Sequence, residues 1–239
     1  MDHSQTLAAM GQAVRQTFRD SGMALPERQL EQLALFGTLL VEKNQVMNLT
    51  AITEPDAVAK LHFLDSMTLL QAMDCKNKTL IDVGCGAGFP GIPAAIAEPT
   101  LQVTLLDSLQ KRMNWLREIL PRLGVEATVA AARAEDYVAS HREQFDLATS
   151  RAVARLHILC ELCLPYVKVG GSFLALKGAM TAKEVEEARK GIAILGGKVR
   201  EIQEFPIADA IHRIVIIDKV RPTPKQYPRK FAKIKQNPL

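Results

Sequence analysis

The segment Leu80-Ile81-Asp82-Val83-Gly84-Cys85-Gly86-Ala87-Gly88-Phe89-Pro90-Gly91 sets a carboxylate at the end of an apolar run and three glycines at alternate positions behind it. The run reads as a buried strand, and the glycines as a turn that opens a helix and lets a bound nucleotide approach bare backbone. An acid directly ahead of such a turn favours a cationic ligand and would repel a pyrophosphate. S-adenosyl-L-methionine, with its ammonium and sulfonium, meets that condition, so methyl transfer is the leading chemistry. Gly86-x-Gly88-x-x-Gly91 also matches the dinucleotide fingerprint in form, which leaves a small NAD(P)-dependent oxidoreductase open. Against it, the match begins four residues after Asp82, Pro90 and Pro93 crowd the helix start, and no Tyr-x-x-x-Lys pair is present.

In a doubly wound sheet, ligands sit at the carboxyl ends of the strands, and three later strand ends carry suitable groups. Asp107-Ser108 lies 23 residues beyond Gly84 and fits an acid that accepts ribose hydroxyls; either residue would also cap a helix. Ala134-Glu135-Asp136 is placed to read an adenine edge. Ser150-Arg151-Ala152 brings a cation to a site for a cationic ligand. Arg151 is therefore expected to face the substrate or a carboxylate, or else to form a surface ion pair with Asp146 or Glu135. No Asp/Asn-Pro-Pro-aromatic motif follows the fourth strand and no Pro-Cys pair is present, so amine and pyrimidine-carbon acceptors lack their usual devices. Guanine N7 has an exposed lone pair and loses no proton on methylation, so positioning and desolvation suffice for it.

The elements that hold these residues follow from hydrophobic period. Leu7, Met10, Val14 and Phe18 recur at helical steps up to Gly22, Pro26 opens a second helix, and a third is expected from about Pro55 to Met73, with Asn44 to Thr53 as the loop between them. Strands are expected at Thr79 to Val83, Gln102 to Asp107, Ala127 to Ala132, Phe145 to Ser150, Ser172 to Lys177, Lys198 to Phe205 and Arg213 to Lys219. The first five alternate with helices and call for parallel pairing; the last link is too short for a crossover, so the final strand should run antiparallel. The expected fold class is α/β, a seven-stranded, mostly parallel, doubly wound sheet with an N-terminal helical cap. Residues 1–74 form the cap, 75–219 the nucleotide-binding domain and 220–239 a basic tail.

The 239 residues are 48% apolar, enough for one sizeable core. No stretch is apolar enough to span a bilayer and no basic-then-apolar leader opens the chain, so a cytoplasmic protein, a monomer with no membrane partner, is expected. Four scattered cysteines (Cys75, Cys85, Cys160 and Cys163) do not form a disulfide framework. Cys160-Glu-Leu-Cys163 has redox spacing but lies in an apolar helical run, where core packing explains it; no metal is expected. The net charge of +4 is unevenly spread: Lys219 to Leu239 holds seven basic residues and no acid, leaving 23 basic against 26 acidic residues elsewhere. A basic strip on a mildly acidic body suits an arm that contacts nucleic-acid phosphates, or a solvated end.

Together, Asp82-Val-Gly-Cys-Gly-Ala-Gly-Phe-Pro-Gly-Ile-Pro93, Leu106-Asp-Ser-Leu-Gln-Lys-Arg112, Arg133-Ala-Glu135, Ser150-Arg-Ala-Val-Ala154 and Leu176-Lys-Gly178 resemble the GidB/RsmG family of bacterial 16S ribosomal RNA guanine-N7 methyltransferases. The likeness extends to Asn48-Leu-Thr50, to His62 with Asp65-Ser66, and to Tyr227-Pro-Arg229 and Pro238-Leu239. It implies a Rossmann-like class I methyltransferase fold, S-adenosyl-L-methionine as cofactor and 16S rRNA or the small ribosomal subunit as partner. It implies that Asp82, Gly84, Gly86, Gly88 and Phe89 hold the methionine side, Asp107 and Ser108 the ribose, and Ala134 with Glu135 the adenine. Arg151 would complete the pocket as the catalytic residue. Asn48, His62, Lys177, Arg213 and Arg229 become candidates for the RNA side, with the target guanine splayed out and stacked on Phe89 or Phe63. A non-catalytic RNA-binding module is the alternative of a different class. One stretch departs from the family: Lys230-Phe-Ala-Lys-Ile-Lys-Gln-Asn237 stands where similar proteins carry a Gly- and Pro-containing turn.

Overall fold

The computed structural model describes residues 2–151, 154–178 and 181–239; Ala152 and Val153, inside the Ser150–Ala154 motif, lie outside the described residues. Strands β1 (Thr79–Val83), β2 (Gln102–Asp107), β3 (Ala127–Ala131), β4 (Phe145–Arg151), β5 (Val167–Lys177), β6 (Gly197–Ile207) and β7 (Ala210–Lys219) form one sheet in the order β3-β2-β1-β4-β5-β7-β6. The first four pairings are parallel, whereas β7 runs antiparallel between β5 and β6. The strand order reverses between β1 and β4, and the crevice of such a sheet lies there, beyond the carboxyl ends.

Alternation along the central strands assigns their side chains to two cores. Leu80, Leu174, Leu176, Ile214 and Ile216 join one apolar cluster, while Ile81, Val83, Phe173, Ala175, Val215 and Ile217 join the other. The first cluster is closed by α1 (His3–Asp20), α2 (Glu27–Met47), α5 (Gly91–Ala97) and α6 (Gln110–Leu123). The second is closed by α7 (Ala134–His141), α8 (Leu156–Cys163) and α9 (Thr181–Ile194). Met10, Val14, Phe18, Leu33 and Leu40 are in the same cluster as the sheet residues, so the N-terminal helices share its core.

Several boundaries differ from expectation: β6 and β7 extend toward each other, to Ile207 and from Ala210, so that their link is shorter still, and three differences bear on the site. Helix α2 continues to Met47, so the loop starts at Asn48 rather than Asn44; the Asn44 side chain accepts the Leu49 and Thr50 amides at 2.6 and 2.9 Å, and Asn48 ends the helix at φ 48°. The third helix is α3 (Pro55–Val58) and α4 (Asp65–Ala72) joined by a π-helical segment, Ala59–Leu64. That wider winding, common at functional sites, holds His62 at the mouth of the crevice. Strand β5 starts at Val167 rather than Ser172 and runs through Gly171, where a Cβ would strike the backbone of Asp146 on β4.

Candidate active site

Past the end of β1, the glycine loop borders a cavity of about 380 Å³ lined by Gly84, Gly86, Phe89, Asp107, Arg112 and Arg151, among others. Gly84 and Gly86 adopt φ +75° and +56°, conformations open to glycine, and their bare backbone forms the wall. A Cβ on Gly86 would find only the Arg112 guanidinium within 4.0 Å, so the space in front of it is free for a ligand. Asp107 fixes the loop to the end of β2: its carboxylate accepts the Gly86 amide at 3.1 Å and the Leu109 amide at 2.9 Å. It is not the cap of α6, whose first turn takes no side-chain bond.

Asp82 lies elsewhere than the sequence implied. It is fully buried and does not line this cavity; one oxygen accepts the Gly91 amide at 2.9 Å, and the other has no partner among the described residues. Being the last but one residue of a central strand, it points beneath the loop, where it shapes the turn instead of meeting an ammonium directly. Burial pushes its pKa up to about 8, against the opposing pull of the Gly91 amide and Arg151. Positive charge in the adjoining cavity would favour its ionised form. Gly88, at φ +97°, is also outside the lining, and a Cβ there would strike Ile92 at 2.5 Å.

Arg151 pairs with neither Asp146 nor Glu135. Its guanidinium donates to Asp65 at 2.8 Å, to the Leu61 carbonyl at 3.3 Å and to His62 Nδ1 at 3.2 Å, and lies 4.9 Å over the Phe89 ring. Because arginine only donates, Nδ1 of His62 is the acceptor, and Nε2 donates to Thr50 Oγ1 at 2.8 Å. His62 is thus satisfied as a neutral ring, bonded to Thr50 and not to Asp65. Burial, reinforced by the Arg151 charge, lowers its pKa to about 4. Asp65 also receives His212 at 2.6 Å. Burial alone would raise the Asp65 pKa, but His212 and Arg151 outweigh it and hold the carboxylate below its usual range, while the same contact raises His212.

On the far side of Arg151 lies a second cavity, about 600 Å³, lined by Ile52, His62, Asp65, Lys177, Glu184 and His212 among others. Lys177 is not a solvated strand end: it is bonded to Glu184 at 2.7 Å and to the Ala154 carbonyl at 2.9 Å. Arg213, paired with Lys177 across β5 and β7, holds Glu204 at 2.8 Å. Asn48 is exposed and lines neither cavity; its neighbours Leu49 and Thr50 line the first. The expected stacking platforms are absent here, since Phe63 is fully buried and Phe89 is covered by His62 at 4.6 Å and Phe36 at 5.0 Å.

A third, smaller space of about 130 Å³ shares Gly84 and Asp107 with the first and is bounded by Ser108, Ala134, Glu135 and Phe231. The basic tail reaches it as a packed segment ending in α10 (Phe231–Gln236), not as a free arm. Lys219 is buried on Glu143 and two carbonyls, Arg221 donates to Ala193, Lys230 binds Asp136, and Arg229 grips Glu161 through its amide and guanidinium. Arg229 is therefore unsuited to phosphate: its charge is spent on a carboxylate that is 0% exposed. Arg229→Ala should destabilise the fold by about 3–5 kcal/mol in urea unfolding, because Glu161 remains buried without its counter-charge. All four cysteines are free and buried, and Cys160 and Cys163 pack in the second apolar cluster. Among the described residues, no helix is long and apolar enough to cross a membrane.

Sequence reasoning missed Arg112, Glu184, His212 and Phe231 as lining residues. Arg112 had a signal, since it falls one helical turn beyond the Asp107 strand end; the others depend on long-range packing.

A family model described as GidB, rRNA small subunit methyltransferase G, matches residues 29–212. The Ribosomal RNA small subunit methyltransferase G of Clostridium botulinum (strain Eklund 17B / Type B) is 46% identical over 227 residues, 92% of this chain and 95% of its own length. That of Lachnoclostridium phytofermentans is 47% identical over 230 residues, 94% and 95% of the two chains. Among solved structures, M. jannaschii TYW2 in complex with AdoMet superposes with TM-score 0.53 at 15% identity, over 65% of this chain and 74% of that one. Precorrin-6y C5,15-methyltransferase from Geobacter metallireducens gives 0.51 at 14%, over 73% and 92%. At such identities these likenesses concern the fold, the Rossmann-like sheet of class I methyltransferases. The family match across most of the sequence, and relatives nearly half identical over almost all of it, establish that the chain belongs to the GidB family, rRNA small subunit methyltransferase G.

Proposed function

We propose that the chain transfers the methyl group of S-adenosyl-L-methionine to N7 of a guanine in 16S ribosomal RNA, acting in the cytoplasm. One observation carries this reading: among the described residues, the glycine-loop cavity and the second cavity share only His62 and Arg151 in their linings, so two ligands would meet across that pair.

The residues of the first cavity suit the donor. Gly84 and Gly86 admit close backbone approach, Asp107 offers a carboxylate for ribose hydroxyls, and Arg112 offers a cation for the carboxylate of the amino-acid end. When bound, S-adenosyl-L-methionine supplies a methyl group activated by its sulfonium. The second cavity then takes the base. An unpaired guanine presents N7 and O6 side by side, and Arg151, a donor at the boundary, suits O6 and so sets N7 toward the first cavity. Since N7 gives up no proton, no general base is needed, which agrees with a His62 whose two nitrogens are already engaged. Lys177, a neighbour of Arg213 across β5 and β7, is paired with Glu184, and the pair orders one wall of the second cavity.

The test is transfer of a labelled methyl group to deproteinised 16S rRNA and to assembled small subunits, followed by reduction and aniline cleavage, which breaks RNA at N7-methylguanine. A break at one guanine is expected. Label that resists cleavage, or no label in either substrate, would overturn the assignment.

A further inference from the structure

We propose that Phe231, from the C-terminal segment, forms one wall of the adenine site of the methyl donor, so that the tail serves donor binding. This rests on the donor-site reading above.

The third space opens directly off the first, through Gly84 and Asp107, in the direction a nucleoside would extend from the glycine loop. Its lining divides by chemistry. Asp107, Ser108 and the Arg133–Glu135 backbone offer polar contacts for the edge of a base, while Leu159, Leu162 and Phe231 offer apolar surface for its faces. Among the described residues, Phe231 is the one lining residue that lies beyond β7.

Its position is held from several directions. The Phe231 amide donates to Glu135 at 3.2 Å, Lys230 binds Asp136 at 2.5 Å, and Arg229 is held by Glu161 on α8. Three residues further on, Ile234 is fully buried in the cluster formed by α8 and α9. Anchors on α7 and α8 therefore fix Phe231 against the same two helices that frame the small cavity. This also gives Glu135 a double task, since the carboxylate expected to read adenine carries the tail as well. A purine ring lying between Leu159, Leu162 and Phe231 would lose apolar contact on one side if the tail moved away.

Calorimetry with S-adenosylhomocysteine and with 5′-methylthioadenosine on Phe231→Ala and Phe231→Leu tests this. Alanine should weaken both ligands by about tenfold, the scale of one aromatic contact to a base, and leucine should restore most of the loss. Loss for both probes locates the contact at the nucleoside end, which they share. In the unaltered chain, S-adenosylhomocysteine should also slow amide exchange across residues 229–236, a readout independent of whether the alanine variant folds. Unchanged affinity in Phe231→Ala, a gain in affinity, or unaltered exchange in the tail would overturn the proposal. Failure of the unaltered chain to bind either probe would instead overturn the donor-site reading on which it rests.

Discussion

Arg151→Ala is expected to lower single-turnover methyl transfer by about 10²–10³-fold at saturating donor and RNA, the cost of removing one preorganised donor beside the reacting atoms. Binding of S-adenosylhomocysteine should change far less, because Gly84, Gly86 and Asp107 remain. The guanidinium touches Asp65, Leu61, His62 and Phe89 at once, and it is this set of contacts that fixes its position between the two cavities. Arg151→Lys should recover little: a lysine keeps the charge but lacks the planar fork that reaches several acceptors together. Recovery to within a few-fold of the unaltered rate would show that charge alone matters. Asp65→Asn should fall between the two, since Asp65 acts through Arg151 and His212 rather than on the base.

Gly84→Val should weaken S-adenosylhomocysteine binding by more than about 100-fold, through two effects that act together. Gly84 adopts φ +75°, which a β-branched residue enters only at a cost of roughly 1–3 kcal/mol. It also lines both the glycine-loop cavity and the smaller space beside it, so a side chain there competes with the ligand itself. Gly124→Ala separates these effects. That glycine ends α6 at φ +61° and lies away from the glycine loop, so its replacement should lower stability and leave ligand affinity unchanged. Normal calorimetric affinity in Gly84→Val would remove Gly84 from the donor site.

The strand positions and the glycine loop were legible in the sequence because their causes are local: runs of apolar residues and alternate glycines leave their mark within a few residues. The antiparallel last strand was legible for the same reason, as a link too short to cross the sheet. What escaped was decided by partners far along the chain. Asp82 reads as an acid at a strand end facing a cationic ligand, yet it is fully buried and bonded to the Gly91 amide beneath the loop. Arg229 reads as a phosphate contact until Glu161, 68 residues away, is seen to hold it. Arg151 is expected to face the substrate or a carboxylate, with a surface pair to Asp146 or Glu135 as the alternative. Which carboxylate it faces escaped, because the π-helical stretch Ala59–Leu64 brings Leu61, His62 and Asp65 against the end of β4 in a largely buried pair. Composition can count the tail's cations, but only packing shows that Lys219 and Arg229 are bound within the fold while Arg221 and Lys230 are tied to it at the surface.

A glycine-loop cavity built for S-adenosyl-L-methionine should take its product and refuse a dinucleotide. Thermal or urea unfolding with S-adenosylhomocysteine or NADH, each at saturation, tests this most directly. A ligand held at a hundred times its dissociation constant stabilises the native state by about 2.7 kcal/mol. A stabilisation of that size with S-adenosylhomocysteine and none with NADH is the expected result; stabilisation by NADH with none from S-adenosylhomocysteine would contradict the account.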